Sequence, residues 1–110
     1  MRQEAVKVDL KQSLEVVSRT GRYVVGYRRT VKEILARKPA AVVASKKSSG
    51  PLLKRVRILS QTMGVPLLMT ELTPAELGLA LRKPFPTSFI AVLDPGSSDI
   101  AEHVRARSGE

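Results

Sequence analysis

Two short basic segments of the chain have the residue types that bind phosphate groups. Gly26–Thr30 (GYRRT) joins an apolar run to a helix start, and Lys32 follows closely. Free backbone N–H groups and the positive end of a helix dipole would lie there beside two arginines, which suits phosphate oxygens and guanine O6 and N7 edges. Lys46 and Lys47 also follow an apolar run and precede a helix. Ordinary solvated turns are the alternative interpretation of both segments.

A third segment, residues 82–87, combines charge with an aromatic ring that is poorly placed for a core. Arg82 and Lys83 can reach phosphates, and Phe85 stands between two prolines, Pro84 and Pro86. A rigid apolar group beside basic side chains is a surface on which an unstacked base can lie. The alternative is that Phe85 packs beneath its own loop.

The chain has few residues suited to catalysis or metal binding. It contains no Cys and one His, His103, so thiolate ligands, disulfides and a cysteine nucleophile are excluded. Asp94 and Asp99 could form a carboxylate pair, but a turn and a helix cap explain both residues. Neither G-x-x-x-x-G-K-[ST] nor G-x-G-x-x-G occurs. We therefore expect no catalytic residue, no metal and no cofactor.

The net charge of +9 is concentrated in one half of the chain. Residues 1–59 contain fifteen basic and four acidic side chains, and residues 60–110 contain four basic and six acidic ones. Such an excess attracts polyanions, nucleic acid first and an anionic membrane second. No apolar run approaches the roughly 20 residues of a membrane span, and no helix pattern shows the Trp or Phe face of a surface-bound helix. The chain is expected to be a soluble, intracellular protein without a secretory signal.

Helical and strand patterns alternate along the sequence. The expected helix starts are Asp9 as an N-cap, Thr30 with Glu33 as a capping box, and Thr73 with Glu76 as a second one. The other expected elements are strands at YVVG, Ala40–Ala44, PLLMT and SFIAVL, a helix from Leu52 to Gly64, a positive-φ glycine at Gly21, and a last helix at Ser98–Arg107. This alternation predicts an α/β layered fold around about four strands, in one domain spanning 1–110 with a core of about 9–107.

Four segments carry a family resemblance that covers the chain from about Asp9 to Ile100. GYRRTVKEIL, AAVVAS, ELGLALRKPF and SFIAVLDPGSSDI occur in this order and spacing. They resemble the archaeal and eukaryotic large-subunit ribosomal protein "thirty-e" family, part of the kink-turn-binding superfamily that includes ribosomal protein "seven-Ae". The resemblance implies a three-layer α/β/α sandwich around a mixed four-stranded sheet. It also implies binding to a kink-turn, a sharply bent RNA with tandem sheared G·A pairs.

The resemblance assigns RNA contacts to the same three segments. The residues concerned are Gly26, Tyr27, Arg28, Arg29, Thr30, Lys32, Lys46, Lys47, Arg82, Lys83, Phe85 and Pro86. Two positions depart from the family pattern, which favours Asn in place of Lys46 and Gly in place of Arg82. Lysine offers a point charge where asparagine offers a directional hydrogen bond, so the detailed contacts at these positions are open.

The expected function is that of a structural constituent of the large ribosomal subunit that binds ribosomal RNA without catalysis. Its partners would be ribosomal RNA and neighbouring ribosomal proteins, with no small-molecule substrate, and its location the cytoplasmic ribosome. One alternative is a kink-turn-binding subunit of a guide-RNA modification complex or of ribonuclease P, against which the DPGSSDI ending argues. Another is a small α/β enzyme acting on a phosphorylated substrate, for which Glu33 is the one obvious titratable group near the strand ends.

Overall fold

Helices and strands alternate throughout the part of the chain that the structure describes. The computed structural model describes residues 2–100, with side chains from residue 10 onwards. The elements are α1 (Arg2–Thr20), β1 (Arg22–Val25), α2 (Tyr27–Leu35), β2 (Ala41–Ser45), α3 (Gly50–Met63), β3 (Leu67–Thr70), α4 (Pro74–Ala80) and β4 (Phe89–Asp94). The predicted α/β class is confirmed. The expected last helix, apart from its first residues, and His103 lie outside the described residues.

The four strands form one mixed sheet in the order β1-β4-β2-β3. Strand β4 runs antiparallel to both β1 and β2, whereas β2 and β3 are parallel. As a result, β1, β2 and β3 end at the same edge of the sheet at which β4 begins. We call this the loop edge, because it carries the segments 26–30, 45–49, 71–73 and 82–88.

Two apolar cores lie on opposite faces of the sheet and define three layers. Val43 and Ile90 pack with Leu14 of α1 and the apolar residues of α4. Val42 and its neighbours on β2 and β4 pack with Ile34 of α2 and Val56 of α3. Every residue of β2 is buried, which confirms the strand predicted to be covered on both faces. Complete burial of one such aliphatic side chain contributes about 1.5–3 kcal/mol, so the central strands stabilise both layers.

The start of α2 differs from the sequence prediction. The helix begins at Tyr27 with Gly26 as its N-cap, so the capping box predicted at Thr30 and Glu33 is absent. Thr30 is completely buried beneath the helix, while Leu35 is 53% exposed. The local sequence pattern predicts Thr30 as an N-cap, but packing against the core buries this residue inside the helix instead.

The predictions for both ends of α1 are also wrong. Helix α1 begins at Arg2, so Asp9 lies inside it; the good helix formers before Asp9 outweigh the capping preference of one aspartate. Gly21 does not have a positive φ. Glycine is needed there because a Cβ would overlap the carbonyl oxygen of Asp94. Asp94 in turn accepts a hydrogen bond from the Gly96 N–H at 2.9 Å, which supports its interpretation as a turn residue.

The capping box predicted at the start of α4 is confirmed. The Thr73 hydroxyl accepts a hydrogen bond from the Glu76 N–H at 3.1 Å, and the Thr73 N–H donates to the Glu76 carboxylate at 2.9 Å. Lys11 of α1 lies 3.1 Å from the same carboxylate. The hydrogen bond from the Thr73 backbone, followed by the interaction with Lys11, lowers the pKa of Glu76 below its ordinary value.

Glu76 is expected to make the protein more stable at neutral pH than in acid. Because the folded state lowers the pKa of Glu76, this contribution is present above the ordinary value of 4.5 and is lost as the pH falls through the folded pKa. The variant Glu76→Gln should be less stable at pH 7 and should lose less stability than the unsubstituted protein between pH 6 and pH 3. Urea unfolding at several pH values tests this; parallel pH profiles for the two proteins would contradict it.

Candidate nucleic-acid interface

Backbone hydrogen bonds connect the segments at the loop edge into one frame. The Gly26 N–H donates to the Phe89 carbonyl at 2.9 Å, and the Ser45 N–H donates to the Ser88 carbonyl at 3.0 Å. The Thr87 N–H donates to the carbonyl of Pro74 at 3.1 Å, which attaches the segment before β4 to the start of α4. The candidate residues therefore project from segments that backbone hydrogen bonds hold together.

The loop that carries Lys46 and Lys47 is fixed by serine side chains. The buried Ser45 hydroxyl donates to the Leu72 carbonyl at 2.7 Å and accepts from the Lys47 N–H at 3.0 Å. The Ser48 hydroxyl then donates back to the Ser45 carbonyl at 2.6 Å. Both lysines are exposed, so their charges extend outward from an ordered turn.

An acidic residue at the loop edge pairs with one of these lysines. The Lys46 ammonium lies 3.2 Å from the carboxylate of Glu71, which directly follows β3. Both side chains are about half exposed, so water screens the pair and its contribution is small. A phosphate that approaches Lys46 would compete with this carboxylate.

The amino end of α2 presents free backbone donors beside two arginines. Gly26 has φ of 101°, and no side chain caps the helix, so the first N–H groups of α2 face the loop edge without a side-chain acceptor. Nothing lies within 4 Å of the position that a Cβ on Gly26 would occupy. Arg28, Arg29 and Lys32 are all exposed. Three cations and the positive end of the helix dipole thus accompany an open approach to the backbone.

Tyr27 and Thr30 face the protein rather than the solvent. The Tyr27 ring stacks edge to face on Phe89, with ring centroids 5.7 Å apart. The hydroxyls of Tyr27 and Thr30 are buried and have no hydrogen-bond partner among the described residues. These two candidate residues support the helix start, and their side chains do not take part in the exposed surface as it stands.

The segment before β4 packs closely on α4 and leaves its aromatic ring outside. The Lys83 N–H donates to the Gly78 carbonyl at 2.9 Å, and a Cβ on Gly78 would overlap the carbonyl oxygen of Phe85. Phe85 is 47% exposed, which agrees with the interpretation that it does not belong to the core. Pro86 is exposed beside it.

Arg82 and Lys83 have different roles in this segment. Arg82 adopts a φ of 60°, the left-handed region that favours glycine, and its guanidinium is 3.9 Å from the carboxylate of Glu15. The Lys83 ammonium lies 5.5 Å from the centroid of the Tyr23 ring, a cation–π contact that holds it against β1. Arg82 is exposed, whereas Lys83 is partly buried.

Sequence reasoning missed four residues that build this surface: Ser45, Glu71, Gly78 and Thr87. A serine that ends the apolar run AAVVAS was a signal, because a polar residue buried at a strand end needs a partner. The other three depend on contacts between elements that are distant in sequence. No spacing rule within one segment identifies them.

The structure describes neither a metal cluster nor a membrane span. Among residues 2–100, no group of three or more His, Cys, Asp or Glu side chains is placed to hold an ion. No described helix combines the length and the apolar character needed to cross a bilayer.

Comparison with known proteins confirms the resemblance seen in the sequence. The model of the family described as "Ribosomal protein L7Ae/L30e/S12e/Gadd45 family" matches residues 8–102. The chain belongs to this family.

Archaeal relatives match almost the whole chain. The protein named "Large ribosomal subunit protein eL30" of Pyrobaculum neutrophilum is 32% identical over 100 residues, which cover 88% of this chain and 99% of the relative. The protein of the same name from Methanosarcina mazei is 34% identical over 102 residues, covering 91% of this chain and 95% of the relative. That of Methanocaldococcus jannaschii is 28% identical over 102 residues, 93% of each chain.

Adding one methyl group at Gly78 is expected to displace the segment that carries Phe85. Glycine inside a helix normally costs up to about 1 kcal/mol relative to alanine, but the overlap with a backbone carbonyl reverses the sign here. We expect Gly78→Ala to lower the free energy of unfolding by about 1–3 kcal/mol. Leu79→Ala on the same helix is the control, because Leu79 is 73% exposed and its truncation should change stability little. Equal stability of the two variants in urea unfolding would contradict the prediction.

Substitutions at Arg82 should separate backbone strain from charge. A left-handed conformation costs an L-residue about 1–2 kcal/mol. Glycine avoids this cost, but its greater conformational freedom in the unfolded chain offsets part of the gain in stability. Arg82→Gly should therefore be more stable than Arg82→Ala, by about 1 kcal/mol, although both lack the cation. Thermal or urea unfolding of the two variants measures the difference. If the alanine variant is as stable as the glycine variant, φ at this position carries no strain.

Proposed function

We propose that this protein is a non-catalytic structural component of the large ribosomal subunit and binds ribosomal RNA through the loop edge. The names of its relatives support the ribosomal assignment. The observation that carries the RNA-binding part is the uncapped start of α2, where exposed Arg28 and Arg29 flank free backbone donors on a hydrogen-bonded frame. The protein would act in the cytoplasmic ribosome, beside other ribosomal proteins.

The proposed RNA is a kink-turn, recognised by its shape and by a few base edges. The start of α2 would enter the bend, with Arg28 or Arg29 hydrogen-bonded to guanine O6 and N7 edges. Lys46, Lys47 and Lys32 would contact phosphates, since each extends as a point charge from an ordered segment. The exposed ring of Phe85 would support an unstacked base.

The ribosomal role is preferred over the two alternatives. No observation on this chain adds support for a role in another RNA–protein particle, and the relatives compared above are named as ribosomal proteins. For an enzyme acting on a phosphorylated substrate, the structure adds one carboxylate to the loop edge, Glu71. That carboxylate is exposed and lies 3.2 Å from the Lys46 ammonium, and none of the relatives compared above bears the name of an enzyme.

Binding to two matched RNAs tests the proposal. One RNA contains a kink-turn, and the other has its tandem G·A pairs replaced by Watson–Crick pairs. We expect at least about tenfold weaker binding to the straightened RNA, which corresponds to about 1.4 kcal/mol. Arg28→Gln or Arg29→Gln should cost about 1–3 kcal/mol on the kinked RNA if that arginine contacts a base. Affinities are measured over a series of salt concentrations.

Arg19→Gln is the control, because Arg19 is exposed at the end of α1, on the side of the sheet away from the loop edge. It removes the same charge and should change both affinities by less than about twofold. Equal binding of both RNAs by the unsubstituted protein would show that charge alone drives association. Equal losses for Arg28→Gln on both RNAs would assign that arginine to phosphate contact only.

A further inference from the structure

A second basic surface extends away from the loop edge along α2 and α3. These helices pack side by side over the same core. We call their outer side the α2–α3 face. Its exposed cations are Arg37 and Lys38 just after α2, and Lys54, Arg55 and Arg57 on α3, and it adjoins the loop-edge cations Arg28, Arg29 and Lys32 on α2. From residue 26 to residue 64 the sequence contains a single acid, Glu33.

Acidic side chains among the described residues form no ion pairs with the cations of the α2–α3 face. Within residues 10–100, whose side chains the structure describes, none of these eight cations forms an ion pair. On the opposite layer, by contrast, two cations have acidic partners: Lys11 pairs with Glu76, and Arg82 lies near Glu15. Like charges on one surface repel each other, so an uncompensated cluster favours association with a polyanion.

The geometry of α3 separates part of this charge from the loop edge. Val56 and Ser60 face the core, which places Lys54, Arg55 and Arg57 on the outer side. Lys54 and Arg57 are three residues apart, so they are neighbours on the helix surface. They lie about 6–10 Å along α3 from its start, at a rise of 1.5 Å per residue. Arg37 follows the far end of α2, so the charge continues toward the opposite edge of the sheet.

We propose that the α2–α3 face binds the phosphate backbone of a second RNA segment while the loop edge holds the first. The inference rests on the proposed function for the loop edge and adds a second, sequence-independent contact. Arginine and lysine on a helical surface suit phosphates. The exposed apolar side chains of these helices, Leu35 and Ile58, are aliphatic, whereas Trp and Tyr are the usual anchors of protein interfaces. The protein would then join two segments of folded RNA.

A charge-matched pair of variants tests the inference. The face variant carries Lys54→Gln, Arg55→Gln and Arg57→Gln. The control variant carries Lys11→Gln, Arg19→Gln and Arg22→Gln, three exposed cations outside the face, so both proteins have a net charge of +6. Each protein is first saturated with a short kink-turn RNA. Binding of a labelled 20-base-pair RNA duplex to that complex is then measured from low to physiological salt, and urea unfolding confirms that both variants are folded.

We expect the duplex to add to the complex of the unsubstituted protein without displacing the kink-turn RNA. The face variant should bind the duplex at least tenfold more weakly, with a salt slope smaller by about 2–3, since each phosphate contact contributes about 0.9. The control variant should stay within about threefold, and both variants should bind the kink-turn RNA normally.

Several outcomes would overturn the inference. Equal losses in the two variants would show an effect of net charge, and displacement of the kink-turn RNA by the duplex would show a single surface. Failure of the unsubstituted complex to bind the duplex even at low salt would show that the α2–α3 face does not bind RNA. Full competition by poly-glutamate would assign the face to an acidic protein. Failure of the proposed function has a different signature: the unsubstituted protein would not distinguish kinked from straight RNA, whichever variant binds the duplex.

Discussion

The position of β4 between β1 and β2 is the constraint on which the candidate interface depends. Because β4 runs antiparallel to both neighbours, its first residues meet the last residues of those strands. The Gly26 N–H and the Ser45 N–H consequently bond to consecutive carbonyls, those of Phe89 and Ser88. A buried central strand thus sets the relative position of three basic segments that are far apart in sequence.

This arrangement lets a small protein present charge without first ordering a loop. Ordering flexible side chains and loops at an interface costs free energy, and a frame whose backbone groups are already bonded avoids much of that cost. Two local features cost free energy. Binding is opposed at Lys46, which has to exchange the Glu71 carboxylate for a phosphate, and folding is opposed at Arg82, which occupies a left-handed conformation. Both occur at positions for which the resemblance implies another residue, Asn in place of Lys46 and Gly in place of Arg82.

The sequence predicted those features that depend on neighbouring residues. The capping box at Thr73, the end of α3 at Gly64 and the apolar strand β2 follow from local hydrogen bonding and from continuous hydrophobicity. The exposed cations and Phe85 of the candidate site were identified by residue type. The predictions failed where a distant contact decided the conformation. Thr30 is buried in the core, and Gly21 lies against Asp94. The bonds of Ser45 and the packing of Gly78 likewise depend on strand order, which local patterns do not encode.

The strand order also explains how the charge of one half of the chain becomes the charge of one layer. Helices α2 and α3 both lie in the basic first part of the sequence and on the same face of the sheet, whereas the opposite face pairs α1 with α4 from the acidic second part. Shape recognition at the loop edge needs fixed geometry, while phosphate binding on helical surfaces needs only charge density and weakens steeply with salt. Because the fold places these two kinds of surface side by side, specificity and general affinity for RNA can reside in different residues and be changed independently.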